Sequence, residues 1–307
     1  MRNSAFIAFI AITLLLCFSC QDSPKLSEDM QKVADQKSAY EANPNKETAA
    51  GYLAAVSLYS GAHRGENKTK ELLMEASKIA KKEGQNLIAA SMSNELIKQF
   101  PDDGDNKSRL IDLANTMQTA GKRDAAANLK YFLTKKYPEF SAKNGIVLPG
   151  GMPENVDTLI KMRALEIFGE GSANGLDRNA SFRYVDAVEA YAMVYNEKIE
   201  TPKYLFHAAE VSRTLGTIKK SLSLYDWILA KYPDDENAPK AMFLKGFILE
   251  NDLNNLDGAK EVYTSFIESY PSHEFASAAE FSLNNLGKTD AEMQAELERL
   301  QKENAGK

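Results

Sequence analysis

The sequence predicts an all-α protein built from repeated helix pairs. Only 10 prolines and 17 glycines interrupt 307 residues, and Ala, Leu, Lys and Glu are abundant, which is typical of long helices and not of many short strands. A hydrophobic content of 44% supplies a core, so wholesale disorder is excluded. An aromatic-proline pair also recurs along the chain, which indicates an internal repeat.

The first 19 residues have the pattern of a signal peptide. Arg2 provides the positive start, and an apolar run over residues 5–18 is interrupted only by Thr13. About 14 apolar residues are too few for a comfortable membrane span, so the run favours a cleaved export signal over an anchor.

The end of this segment, Cys17-Phe18-Ser19-Cys20, places a small residue before a cysteine and so resembles a bacterial lipobox. The resemblance implies that Cys20 is lipidated and becomes the first residue of the mature chain, anchored to a membrane without spanning it. Gln21 follows, where aspartate favours inner-membrane retention in enteric bacteria, so the outer membrane is expected. The alternative is an ordinary signal peptide with a chance cysteine. Both cysteines lie here, so the mature chain has no internal disulfide.

Charge argues against nucleic acid as a partner. Loss of Arg2 with the signal peptide leaves 36 Lys and Arg against 43 Asp and Glu, a net charge of −7. Such a chain is a poor general ligand for phosphate backbones. The lysines over 68–82 are interleaved with glutamates, which is typical of a solvated helix face.

The aromatic-proline pair occurs four times, with 37, 95 and 38 residues between successive prolines. A small residue stands twelve positions before each proline, and Tyr225 and Tyr263 align in the last two copies. The interval of 95 has room for one further unit, marked by Tyr184, Ala187 and Tyr191. The pairs are Phe100-Pro101, Tyr137-Pro138, Tyr232-Pro233 and Tyr270-Pro271, and the small residues are Ala89, Ala126, Ser221 and Ala259.

Segments 222–233 and 260–271 resemble the second helices of tetratricopeptide (TPR) units, in which small residues allow close helix packing and proline ends the second helix. Ala209 and Gly246 resemble the small residue of the first helix, and Gly121 and Gly216 resemble the turn between the helices. The resemblance implies a right-handed α-solenoid whose concave groove is lined by the first helix of each pair.

Continuing the pattern predicts about seven TPR-like helix pairs. Residues 20–138 hold the N-terminal pairs, 139–153 form an irregular linker rich in Gly and Pro where a bend is expected, and 154–307 hold the C-terminal repeats. The predicted helices span 26–41, 46–61, 67–83, 85–99, 105–120, 122–136, 155–170, 180–197, 202–215, 217–231, 237–250, 256–269, 273–286 and 289–303.

A partner-binding groove is predicted where two adjacent first helices align by Ala209 and Gly246. Residues three or four apart share a helix face, so each helix contributes one stripe, and an aromatic centre with a charged rim suits peptide binding. The alternative is that the phenylalanines belong to the core. Phe206 aligns with Phe243, Glu210 with Phe247 and Arg213 with Glu250, with Lys203 and Lys240 at the flanks.

No pattern of catalytic, metal-binding or cofactor-binding residues is found. His63, His207 and His273 lie in different repeats without a second ligand at metal spacing, and His207 is expected to pack on an apolar helix face. The glycines over 169–175 follow a predicted helix and not a strand, which favours an inter-helix loop over a dinucleotide fingerprint. We therefore expect no enzyme activity, no cofactor and no metal.

The lipobox and the repeats together resemble TPR lipoproteins of the bacterial envelope, such as that of the outer-membrane β-barrel assembly machine, and the periplasmic TPR protein associated with Tol-Pal. The resemblance implies a scaffold that binds other envelope proteins or peptides. The alternative is a lipoprotein that captures a ligand or nutrient at the surface. Those proteins present aromatic residues on loops, whereas Trp227 is expected to be buried in a helix.

Overall fold

The computed structural model describes residues 26–148, 150–168 and 177–288, together with 291, 292 and 294. Within these residues the chain forms fourteen α-helices and no strand, which confirms the all-α helical-repeat class. The signal peptide, Cys20 and most of the last predicted helix lie outside the described residues. The helices are α1 Glu28–Ala42, α2 Lys46–Ala62, α3 Asn67–Lys82, α4 Asn86–Gln99, α5 Asn106–Thr119, α6 Arg123–Lys136, α7 Pro138–Lys143, α8 Val156–Phe168, α9 Arg178–Val194, α10 Thr201–Thr214, α11 Ile218–Lys231, α12 Asn237–Asn251, α13 Leu256–Ser269 and α14 Ala276–Asn285.

The first thirteen predicted helices are all present, with ends displaced by about three residues at most. One helix was missed. The short α7 occupies the start of the segment predicted to be irregular, because Pro138 begins a new helix as well as ending α6. Helix α9 ends at Val194, three residues earlier than predicted, and no proline follows its C-cap Tyr195 to mark the end.

Four second helices end at the aromatic-proline pairs, as predicted, and the aromatic residue of each pair is the C-cap of its helix. Phe100, Tyr137, Tyr232 and Tyr270 are the C-caps of α4, α6, α11 and α13, with nearly equal φ angles of −126°, −131°, −129° and −132°. Each cap N–H donates to the carbonyl four residues earlier, and the ring packs against the core. The following proline then prevents the helix from continuing.

Small residues allow the helices of a pair to approach closely. All four of the predicted second-helix small residues are buried, and Ala209 is fully buried on α10. A Cβ placed on Gly246 of α12 would lie 2.7 Å from the ring of Tyr263 on α13, so only glycine fits there. The predicted turn glycines Gly121 and Gly216 adopt φ angles of +82° and +76°, which other residues rarely accept.

The stacking order changes in the middle of the chain. Elsewhere each helix packs mainly on its sequence neighbours, but α6 packs directly on α9, and α8 packs on α9 from its other side. The ring of Phe132 on α6 lies 5.4 Å from that of Tyr191 and 6.1 Å from that of Tyr195, both edge-on. The second helices of the third and fourth pairs therefore face each other across the core.

The central apolar cluster runs from Ala90 on α4 to Ile248 on α12, so residues on both sides of segment 139–153 share one core. Smaller clusters fill the two ends of the described chain. Helix α4 also reaches α9 and α11, where Lys98 contacts Glu189 and lies over the buried ring of Trp227. Among the described helices, none combines the length and the apolar character needed to cross a membrane.

Candidate partner-binding groove

A groove follows the first helices of three successive pairs, α8, α10 and α12. It consists of two open depressions of about 500 Å³ and about 320 Å³ that share Glu210 and Thr214 on α10. Ala164 and Tyr184 contribute to the larger depression, and Leu244 to the smaller one. Because the two depressions adjoin, they form one surface that could hold an extended segment of a partner.

An ion pair bridges α10 and α12 within this groove. Arg213 binds Asp252 with two nitrogens, Nε to Oδ2 at 2.6 Å and a terminal nitrogen to Oδ1 at 3.3 Å. Its guanidinium carbon lies 4.9 Å from the centre of the Phe247 ring. The hydrogen bond to Asp252 raises the pKa of Arg213 further above its ordinary value. The guanidinium is therefore held by Asp252 and by the Phe247 ring, and Arg213 acts as part of the groove wall.

Two tyrosines lie beneath the groove. Tyr184 lines the larger depression and Tyr225 the smaller one, and burial raises the pKa of each hydroxyl, so both stay neutral donors at physiological pH. The Tyr184 residue is only 3% exposed, and its hydroxyl makes no hydrogen bond to any described residue. Because this hydroxyl borders an open depression, it is placed to donate to an acceptor on a ligand.

Two of the three phenylalanines expected at the centre of the site, Phe206 and Phe243, pack against the core. Phe206 is 9% exposed and its ring lies 5.7 Å from that of Tyr225. Phe243 packs with its ring centre 5.0 Å from that of Phe275, within the C-terminal cluster. Both side chains point towards the second helix of their own pair, because each first helix must bury one face against its partner. The core interpretation of these two residues is therefore the one that the geometry supports.

The predicted charged rim is placed differently from the sequence alignment. Arg213 pairs with Asp252 and not with Glu250, two residues earlier. Glu250 instead accepts a hydrogen bond from the Tyr263 hydroxyl at 2.8 Å. Glu210 is exposed in the groove. Lys203 is also exposed and Lys240 is partly buried, and neither lysine forms an ion pair with a described residue.

Sequence analysis missed several groove residues. His207 was expected to be packed, but its side chain is 49% exposed and its Nδ1 lies 3.3 Å from Glu210 Oε2 in the groove. That expectation was wrong because His207 lies on the exposed face of α10, although its neighbours Phe206 and Ala208 are buried. Tyr184, Leu244 and Asp252 reach the groove from other elements, and no spacing along the chain signals that convergence.

The described residues include no group of three or more His, Cys, Asp or Glu side chains placed to hold a metal ion. His63 stacks on Tyr59 with ring centres 4.2 Å apart. His273 lies among the rings of Phe266 and Phe275. The three histidines thus lie in separate environments.

Comparison with known proteins adds no family to this picture. No protein-family model and no curated protein matches the chain. The resemblance to TPR proteins therefore depends on the repeat residues themselves and on the helix-pair fold they produce. Fold alone does not assign function, so the groove carries the functional interpretation.

Proposed function

We propose that this protein is a non-enzymatic scaffold of the bacterial cell envelope, held at the outer membrane through a lipid on Cys20, that binds a segment of another envelope protein in the α8–α10–α12 groove. A role in assembly or maintenance of the outer membrane fits such a scaffold. The observation that carries the proposal is the continuous groove along three successive first helices, bordered by a tyrosine hydroxyl that forms no hydrogen bond with a described residue.

The chemistry of the groove suits an extended polypeptide. The backbone carbonyls of such a polypeptide can accept a hydrogen bond from the Tyr184 hydroxyl, and its backbone N–H groups can donate to the Glu210 carboxylate. Apolar surface from Val211 and Leu244 offers contacts for one or two side chains. A few such anchors supply most of the affinity in known peptide sites.

Charge gives a preference for the partner. Arg213 is matched by Asp252, so Glu210 remains as the charge that faces the groove without an Arg or Lys partner. A like charge in the bound segment would be repelled, and a Lys or Arg would be attracted. We therefore expect the bound segment to carry a basic residue near this position.

The test uses a photo-crosslinking amino acid at position 214, which borders both depressions, with the full chain in its native envelope. Position 119 is the matched control. Thr119 ends α5 as Thr214 ends α10, both are exposed, and each hydroxyl donates to the carbonyl four residues earlier at 3.0 Å. Position 214 should capture a defined envelope protein that position 119 does not.

A blocking variant supplies the second measurement. Thr214→Trp should fill the groove and abolish capture of that protein, while Thr119→Trp should leave capture intact and both variants should keep the wild-type melting temperature. Equal capture at both positions, or undiminished capture by Thr214→Trp, would show that the partner binds elsewhere.

A further inference from the structure

A separate cavity of about 270 Å³ lies between the N-terminal and C-terminal helices, away from the groove. Helix α4 forms one side, and α9 with the start of α11 forms the other, with the α5–α6 turn closing one end. The residues that line it are up to 133 positions apart in sequence, from Leu87 to Lys220. Its existence therefore depends on the packing of the two halves.

One part of this cavity is apolar and opens to solvent. Leu87 on α4 is 58% exposed and Phe182 on α9 is 40% exposed, and both border the cavity. Met117, Val185 and Leu215 continue the apolar surface inward. Large exposed apolar residues at the edge of a cavity are unfavourable in water unless something covers them.

The other part of the cavity is polar, and besides Lys122 and Lys220 it contains two acceptors that have no donor. The Asn94 Oδ1 atom is buried and has no hydrogen-bond partner among the described residues. The Asp186 carboxylate lines the cavity and forms no hydrogen bond or ion pair with them either. Glu189, one helical turn further, is different, because Lys98 and Lys220 both donate to it at 2.9 Å.

We propose that this cavity binds a small alkylammonium compound, whose cationic head is held by Asp186 and Asn94 and whose alkyl chain lies against Leu87 and Phe182. An ammonium group donates up to three hydrogen bonds, which matches two acceptors that lack donors. A carboxylate head fits less well, because the Lys220 ammonium is already bound by both oxygens of Glu189 and the other lysine of the lining, Lys122, is at an exposed position. The apolar wall has room for a chain of a few carbons.

The charges around Asp186 set the pH dependence of binding. Burial raises the pKa of Asp186 to about 6, and Glu189 and Asp124 add to that effect, while Lys122 and Lys220 oppose it. A primary amine stays protonated between pH 5 and pH 7.5. Its binding should therefore be strong above pH 6 and weaken as Asp186 is protonated below pH 6. Glu189 does not contribute to this change, because its pKa is about 2 and it stays ionised.

Hexylamine is the probe, titrated into the full mature chain by calorimetry, with hexanoate and hexanol as the comparison ligands. Hexylamine should bind more tightly than either, and its affinity should fall by about tenfold between pH 7.5 and pH 5, since protonation removes the charge-assisted hydrogen bond. Equal or tighter binding of hexanoate, or an affinity for hexylamine that does not change with pH, would overturn the proposal.

Two variants locate the site. Asp186→Asn should weaken hexylamine binding by about tenfold or more without lowering the melting temperature, since it removes an unpaired, largely buried charge. Asp257→Asn, at an exposed position on α13, is the matched control and should bind normally. Leu87→Ala removes an exposed side chain and should weaken hexylamine binding by roughly threefold with no effect on folding. Unchanged binding in both cavity variants would place the amine elsewhere.

Discussion

The most informative perturbation is Glu189→Gln, because this carboxylate ties α9 to helices from both halves of the chain. Lys98 Nζ of α4 lies 2.9 Å from one of its oxygens, and Lys220 Nζ of α11 lies 2.9 Å from each. The side chains of Lys98 and Glu189 are only 3% and 7% exposed. Glutamine keeps the shape but leaves the Lys98 ammonium buried without a counter-charge, which typically costs about 3–5 kcal/mol.

The pKa of Glu189 agrees in direction. Burial alone would raise this pKa, but Lys220 and Lys98 outweigh it and hold it well below its ordinary value. The two lysines therefore stabilise the ionised carboxylate in the folded state, which contributes to the stability of the fold. Because the folded-state pKa is the lower one, this stability is complete above pH 4.5 and is lost as the pH falls towards 2.

Urea unfolding followed by circular dichroism measures both effects. Glu189→Gln should lower the free energy of unfolding by about 3–5 kcal/mol at pH 7, and it should lack the part of the wild-type acid sensitivity that falls between pH 4.5 and 2. Glu197→Gln is the control, because its pair with Lys136 is 58% exposed on the glutamate side and should contribute less than about 1 kcal/mol. A loss below about 1 kcal/mol in Glu189→Gln would refute the reasoning.

Three further predictions test the repeat, the groove and the anchor. Gly246→Ala should destabilise the protein by about 1–3 kcal/mol in urea unfolding, because the new methyl group meets a tyrosine ring. Gly61→Ala, with open space around it, should be neutral or stabilising by about 0.5 kcal/mol. Equal effects of the two substitutions would count against close packing at position 246. Phe243→Ala should lower the free energy of unfolding by about 3 kcal/mol, because Phe243 packs among rings of the C-terminal core. Phe247→Ala should lower it by less than about 1.5 kcal/mol, because Phe247 is covered by an arginine. The reverse order would contradict the placement of these two residues. Cys20→Ala should move the protein from the membrane pellet to the soluble fraction, and its retention in the pellet after a high-salt wash would contradict the lipid anchor.

The sequence by itself determined the local structure of the repeat. Helix ends at Tyr232 and Tyr270 and the turn at Gly216 follow from short-range sterics, namely the missing N–H of proline and the positive φ that glycine permits. Such effects act within a few residues, so spacing along the chain reveals them.

Tertiary structure alone decided which residues meet across pairs. Packing of α6 on α9, and of α4 near α11, depends on how the stack turns after α7, and that turn creates the cavity at Asp186 and the buried carboxylate of Glu189. Asp252, the partner of Arg213, was not among the residues that the repeat alignment selected, because the offset between neighbouring first helices is set by side-chain packing and not by the repeat length. A one-dimensional repeat fixes the units, whereas long-range packing fixes which side chains the units bring together.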